Sequence, residues 1–264
     1  MKASRRMGVQ MSDKTNAPRI LAFDIETTPN RGWAYGKWQT NMIRIDEYSS
    51  LMSFSYQWLG EKKIHHHSLG GFDYNEEALA MKLHDLFDEA DAVLAHNAYG
   101  FDVKVMKGIW AKYRIAPPAP YKVIDTLRIA RGQFKFPGGN SLNEVCMFLG
   151  VGRKSETGIG ELWHKCFAED DPKAWKLLRK YNNTDVKLLV DIYKIMLPYI
   201  TNHPNLTHLF QARGQCPKCL SDKLEARGFN HKAAGKVQRY QCKSCYGWCN
   251  EASVKQNGRI NNSQ

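Results

Sequence analysis

The sequence predicts an α/β protein in which a mixed β-sheet is flanked by helices and a small cysteine-rich module follows. Three observations carry that expectation. The N-terminal third is rich in β-patterned runs, the middle alternates short apolar runs with helical spacing, and five of the seven cysteines crowd between Cys216 and Cys249. The chain has 264 residues, enough for one large domain with an appendage or for two domains, and its 43% hydrophobic content is that of a globular protein.

The first expected strand is RILAFDIETT, residues 19–28, an apolar run bounded by Pro18 and Pro29 that carries two acids, Asp24 and Glu26. Side chains two apart in a strand share a face, so the pair points the same way. Two acids aimed at one spot repel unless a cation sits between them, and hard oxygen ligands suit Mg²⁺ or Mn²⁺. A strand ending in solvent-facing acids is the plain alternative. Residues 50–60 and 62–68, around Gly60 and Glu61, read as antiparallel neighbours of that strand. Between them and the first strand, residues 31–48 carry Trp33, Tyr35 and Trp38, which either stack on bases or pack on the sheet. Of the consecutive His65, His66 and His67 only the outer two share a face, so solvated or edge-strand histidines are expected rather than a metal site.

A helix is expected from Asn75, its N-cap, to about residue 89. A short buried-type strand over residues 91–96 follows. It places residues 97–102 at a strand-to-helix junction, where open α/β sheets hold their chemistry. After Pro117, Pro118 and Pro120 comes a strand over residues 121–125, then helical patterns over 126–134 and 140–150, with Asn140 or Ser141 as cap and Gly150 as stop. Residues 151–166 read as less regular. Asp171 and Pro172 form an N-cap and N1 pair that starts a long helix ending by Pro198, on which Tyr181 and Asp185, four apart, share a face.

Three separated segments thus offer acids that a sheet can gather: Asp24 with Glu26, Asp102, and Asp185 with Tyr181 beside it. Four carboxylates carry about −4, a charge matched by two divalent cations and costly without them. The set resembles the DEDD superfamily of 3′–5′ exonucleases, of RNase H-like fold, which includes the proofreading domains of DNA polymerases. The resemblance covers about residues 20–196 and rests on three motifs. These are Asp24-x-Glu26, the NAYGFD of residues 97–102 matching N-x₂₋₃-[FY]-D, and Tyr181-x₃-Asp185 matching the tyrosine subclass, with Lys180 where the histidine subclass needs His. Asp125 and Asp191 are the nearest decoys. The resemblance implies a two-metal mechanism with the ions about 4 Å apart. In it Asp24 bridges both ions, Glu26 and Asp185 hold the one that binds water, Asp102 acts on the other through water, and Tyr181 orients the nucleophilic water. It also implies that Asn97 shapes the junction or touches substrate and that Phe101 meets nucleic acid.

From residue 203 the composition turns basic and polar. Cys216-x₂-Cys219 is followed, 22 residues on, by Cys242-x₂-Cys245, a spacing that predicts one structural Zn²⁺ held by four thiolates, with Cys249 as a spare thiol. Residues 223–229 and 236–242 read as short strands with turns at Gly228 and Gly235. The segment resembles a zinc ribbon of the kind found in transposases and other DNA-associated proteins. Lys223, Arg227, Lys232, Lys236, Arg239 and Lys243, interleaved with Phe229, Tyr240 and Trp248, suit phosphate contact and base stacking. Docking to a DNA polymerase or another replisome protein is the alternative.

The net charge of +12 is unevenly spread: residues 1–19 hold five Lys/Arg against one acid, residues 20–202 hold 23 against 22, and residues 203–264 hold ten against three. A near-neutral body with basic ends fits a polyanionic partner. The expected organisation is a flexible basic arm over residues 1–18, an exonuclease domain over 19–202 and a ribbon with its tail over 203–264. No apolar run is long enough for a membrane span, and no apolar h-region precedes the first strand, so neither a membrane nor a secretory signal is expected. The cysteine pattern is that of a reducing compartment, the cytoplasm. The activity implied is 3′–5′ hydrolysis of DNA to nucleoside 5′-monophosphates with two Mg²⁺ or Mn²⁺. The organisation looks like that of bacteriophage exonucleases, which implies a replication or proofreading role in the host cytoplasm. A 3′–5′ exoribonuclease, an inactive nucleic-acid-binding adaptor and a transposase-like recombinase are the rivals, the last disfavoured by Tyr181-x₃-Asp185.

Overall fold

The computed structural model describes residues 18–36, 38, 41–70, 75–154, 159–207, 214–233 and 235–250; residues 1–17 of the expected arm over residues 1–18, and the tail beyond residue 250, lie outside them. The apolar run of the first strand becomes β1 (Ile20–Thr27), flanked by the antiparallel β4 (Leu51–Trp58) and the parallel β6 (Ala92–Ala95). With β5 (His65–Ser68) outside β4 and β7 (Lys122–Asp125) outside β6, the five-stranded mixed sheet has the order β5-β4-β1-β6-β7. Of the two segments expected beside β1, only β4 adjoins it; β5 pairs with β4 and begins at His65, three residues later than its sequence pattern.

Helices cover both faces of this sheet, as the α/β reading requires. Leu21, Phe23 and Ile25 pack with α1 (Glu76–Glu89) and α2 (Asp102–Lys112), while Ile20 and Ala22 pack with α3 (Thr126–Gln133), α4 (Leu142–Phe148) and α6 (Pro172–Met196). Alternation along β1 therefore sends Asp24 and Glu26 to the α6 side. Immediately after Glu26 the register with β4 slips, a bulge that ends the regular ladder at the carboxylates. Asp171 caps α6 by accepting the Lys173 amide at 2.9 Å, and Pro172 starts it. At 25 residues the helix is about 37 Å long.

Three stretches differ from their sequence reading. The irregular region contains a helix, α5 (Ile159–Phe167), whose Leu162, Trp163 and Cys166 bury against Met52, Leu178 and Tyr181. The aromatic segment is a two-stranded hairpin of β2 (Arg31–Trp33) and β3 (Arg44–Glu47), and its rings lie exposed rather than packed on the sheet. Gly228 marks a bulge inside a strand, not a turn: β8 (Leu224–Lys232) runs through it, and the turn at Gly235 leads into β9 (Gly235–Cys242). With β10 (Trp248–Asn250) these make a three-stranded sheet that carries the clustered cysteines, consistent with a zinc ribbon.

The cysteine module sits on the C-terminal end of α6 and the 3₁₀ turn Leu197–Tyr199. Lys218, in the first knuckle, donates to the carbonyls of Leu197 (3.2 Å) and Pro198 (3.1 Å), and so satisfies acceptors that a helix end leaves open. Leu220 joins the core around α6, and the Leu206 amide donates to Pro217 O at 2.8 Å.

Candidate active site

One carboxylate oxygen from each of Asp24, Glu26 and Asp185 falls within 4.8 Å of the others. The strand supplies the first two and α6 the third. Asp102, only 2% exposed, stands at the first position of α2 and accepts the Ile25 amide at 3.4 Å; it lies outside that tight trio but adds to the repulsion at Asp24. Tyr181, one turn before Asp185, packs edge-on against Trp163, whose indole N–H donates to Thr27 O at 3.1 Å. The helix reading of Tyr181 and Asp185 is thus realised, and α5 walls the site from behind the tyrosine.

Burial, then the charges of Glu26, Asp102 and Asp185, hold the Asp24 carboxyl well above its usual range. Burial and then Asp185 push Glu26 up to about 8, and burial raises Asp102 to about 7 against hydrogen bonds from its own amide and that of Ile25. Burial also raises Asp185, opposed by Lys154. Acids so placed do not all ionise at neutral pH without cationic charge nearby. Two partners that sequence reasoning missed relieve part of the strain. The Lys154 ammonium donates to Asp185 Oδ2 at 2.5 Å and to the Tyr181 hydroxyl at 3.4 Å. Burial alone would lower its pKa, but Asp185, Tyr181 and Asp24 raise it well above an ordinary lysine. Asn182 donates from Nδ2 to Asp24 Oδ2 at 2.6 Å and to Asp24 O at 3.2 Å.

The donor set is all oxygen, the carboxylates repel one another, and Asp185 Oδ1 is buried with no partner among the described residues. These features fit a hard divalent cation. The second group of potential ligands is the four cysteines, Cys216, Cys219, Cys242 and Cys245, whose sulfurs also lie within 4.8 Å of one another. Two Sγ–Sγ separations are 3.6 Å, near the edge of about 3.8 Å that tetrahedral bonds to zinc would give. Cys249 lies apart, its thiol facing the Tyr240 carbonyl from β10.

The decoy Asp125 has another task. Its carboxylate accepts the amides of Asn97 and Tyr99 at 3.1 Å each and caps α3 through Leu127 and Arg128, so it pins the NAYGFD loop from below. Asn97 there adopts φ 77°, and a Cβ on Gly100 would stand 2.2 Å from the Asn97 amide oxygen and displace that side chain. Asp191 pairs with Lys187 on the exposed side of α6. Phe101 and Tyr99 are partly exposed beside this loop, and the Arg128 guanidinium lies over the Tyr99 ring at 4.6 Å. The histidines sit on the sheet edge: His65 stacks on Tyr56, and His66 hydrogen-bonds Ser55 through Nδ1 at 2.9 Å. No metal-holding group among the described residues includes them. On the ribbon, Lys223, Arg227 and Lys236 are exposed, Tyr240 is half-buried, and Arg239 lies over Trp248 at 5.4 Å.

Residues 21–197 match the family model of the RNase H superfamily. Among solved structures, the family B DNA polymerase from the hyperthermophilic archaeon Pyrobaculum calidifontis is 18% identical over 69% of this chain and 25% of its own, with a TM-score of 0.48. The chain thus spans about a quarter of that polymerase. No curated protein sequence matches.

Proposed function

The chain belongs to the RNase H superfamily, and we propose that it is a metal-dependent 3′–5′ exonuclease of the DEDD tyrosine type, acting on DNA. The observation that carries this reading is the gathering of Asp24, Glu26 and Asp185 around one point, with Tyr181 held beside them by α6. Asp24, Glu26, Asp185 and Asp102 would hold two Mg²⁺ or Mn²⁺. When bound, these ions offset phosphate charge and lower the pKa of the attacking water.

The chain's own groups do the rest. The Tyr181 hydroxyl, pushed up to about 12 by burial and then by Asp185, keeps its proton, so it orients the water and does not deprotonate it. Lys154 brings a fixed positive charge to the same hydroxyl, where it favours negative charge developing on the phosphoryl group. Asn182 fixes the rotamer of Asp24. A cleft of roughly 450 Å³, lined by His96, Asn97, Arg131, Asn140, Asn143 and Lys154 together with Leu127 and Leu142, adjoins these groups and offers some cations and amides to a phosphate backbone. Phe101 flanks its loop as a stacking surface.

We divide the chain into an exonuclease body over residues 19–202 and a zinc ribbon over 203–264. Lys223, Arg227, Lys236, Arg239 and Tyr240 of the ribbon meet the nucleic acid. Replacing Lys223 and Lys236 by alanine should weaken DNA binding and reduce the slope of log K against log salt by about 1 per lost phosphate contact. An unchanged slope would assign the ribbon to a protein partner.

The reading is tested by digesting 5′-labelled and 3′-labelled DNA and RNA oligonucleotides with Mg²⁺ or Mn²⁺, beside Asp24→Asn. The expected result is a metal-dependent ladder shrinking from the 3′ end of DNA, absent in the variant. A ladder on RNA alone would make the protein an exoribonuclease, and binding without cleavage would make it an adaptor.

A further inference from the structure

The hairpin of β2 and β3 takes no part in the carboxylate site, yet its composition is unlike that of a solvated loop. Trp33 is 63% exposed, Tyr35 86%, Trp38 88%, and Tyr48 at its exit 76%, with Ile43 and Met42 also in water. A two-stranded ribbon is marginal alone, and a cluster of exposed rings marks a surface that something covers.

The hairpin is nonetheless built. Ile43 donates to Trp33 O at 2.8 Å, and a Cβ on Gly32 would stand 2.0 Å from Arg44 O, so the two strands approach as closely as a glycine allows. Its base is tied to the active-site end of the sheet. Thr28 donates to Ser50 O at 2.9 Å, their hydroxyls meet at 3.0 Å, and Ser49 donates to the Asn30 side chain at 2.7 Å. The residues between β1 and β2 are Thr28, Pro29 and Asn30, so the hairpin leaves the sheet directly beyond Glu26. Chain length alone keeps Trp33 within about 25 Å of that carboxylate.

We propose that this hairpin is a stacking platform for the unpaired bases of the strand whose 3′ end enters the site, an inference that rests on the exonuclease reading. The exposed surface is dominated by planar rings, which suit bases of any sequence. Among the described residues its two arginines pair within the hairpin, Arg31 with Glu47 and Arg44 with Asp46. The exposed rings themselves contribute stacking and carry no charge to meet phosphate. That separates it from the ribbon and gives it a distinct signature: its loss weakens binding without changing the salt slope.

The test uses the full chain and two variants, Trp33→Ala with Tyr35→Ala, and Tyr35→Ala with Trp38→Ala. Binding of oligothymidylate of about 20 nucleotides is measured by anisotropy in EDTA over a salt series. Hydrolysis of the p-nitrophenyl ester of thymidine 5′-monophosphate, too small to span both places, is followed with Mn²⁺. Each variant should bind the long strand at least about tenfold more weakly, with an unchanged salt slope and unchanged ester hydrolysis, and Tyr35→Phe should bind as the unaltered protein does. Variants that bind the long strand normally, or lose ester hydrolysis in proportion, would overturn the platform. If the unaltered protein does not hydrolyse the ester while the variants still lose binding, the exonuclease reading fails and the hairpin stands only as a stacking surface for single strands.

Discussion

Lys154 is the residue on which the charge balance of the carboxylate cluster turns. Its ammonium touches both Asp185 and Tyr181, and it opposes the rise in pKa of Asp24, Glu26, Asp102 and Asp185 alike. A fixed cation in that place acts in two opposite ways. It assists a phosphoryl group gaining negative charge, and it competes electrostatically with divalent cations for the same acids. Lys154→Ala should therefore lower kcat by roughly 10- to 100-fold, the loss of one charge-assisted contact, while Mn²⁺ binds more tightly. Calorimetric titration of the variant with Mn²⁺, set beside its kcat, checks the split. Weaker Mn²⁺ binding together with lower kcat would mean that Lys154 serves to shape the site and not to tune its charge.

At the scale of elements, the residues legible from sequence were those with a period. β1 alternates, so Asp24 and Glu26 share the Ala22 face, and α6 repeats every 3.6 residues, so Tyr181 and Asp185 share another. Lys154 had no such signature, because a lysine in a polar connection looks the same whether its ammonium meets water or Asp185. Asn182 was hidden for a similar reason: one position from Tyr181, it reaches Asp24 only because α6 crosses the sheet there. α5 was missed although Leu162, Trp163 and Cys166 carry helical spacing, since Gly158 and Gly160 mask its start. The motifs set Asp125 aside as a decoy, but nothing in the sequence says what it does instead, since it too ends a short strand. Its four backbone partners make the difference. Asp125→Ala leaves the Asn97 and Tyr99 amides and the first turn of α3 without an acceptor, and should cost on the order of 3 kcal/mol in urea unfolding. Because the NAYGFD loop leads into Asp102, the same variant should weaken Mn²⁺ binding, whereas Asp191→Ala, on the outer face of α6, should change neither.

For the whole molecule, the titrating groups oppose one another on either side of neutrality. The cluster acids have raised pKa values in the fold, Asp102 to about 7 and Glu26 to about 8, each led by burial. Their contribution to stability is complete below the unfolded values of 3.8 and 4.5 and is lost as pH rises through 7 and 8. His66, His96 and His203 run the other way. Burial lowers each to about 4, so their contribution is present above 6.5 and disappears as pH falls toward 4. The protein freed of Mg²⁺ and Mn²⁺ should accordingly be most stable at weakly acid pH, with a falling limb on each side. Only the alkaline limb belongs to groups proposed to hold a cation. Mn²⁺ at about 100 times its Kd adds about 2.7 kcal/mol, and its Kd tightens as the carboxyls lose protons, so the rise in Tm that it produces should grow from pH 6 to pH 8.5 and vanish toward pH 5. Thermal unfolding across that range, with and without Mn²⁺, checks the sign, and Asp24→Asn should flatten the alkaline limb while leaving the acid limb in place. A Tm increment independent of pH would place the bound Mn²⁺ away from these four acids.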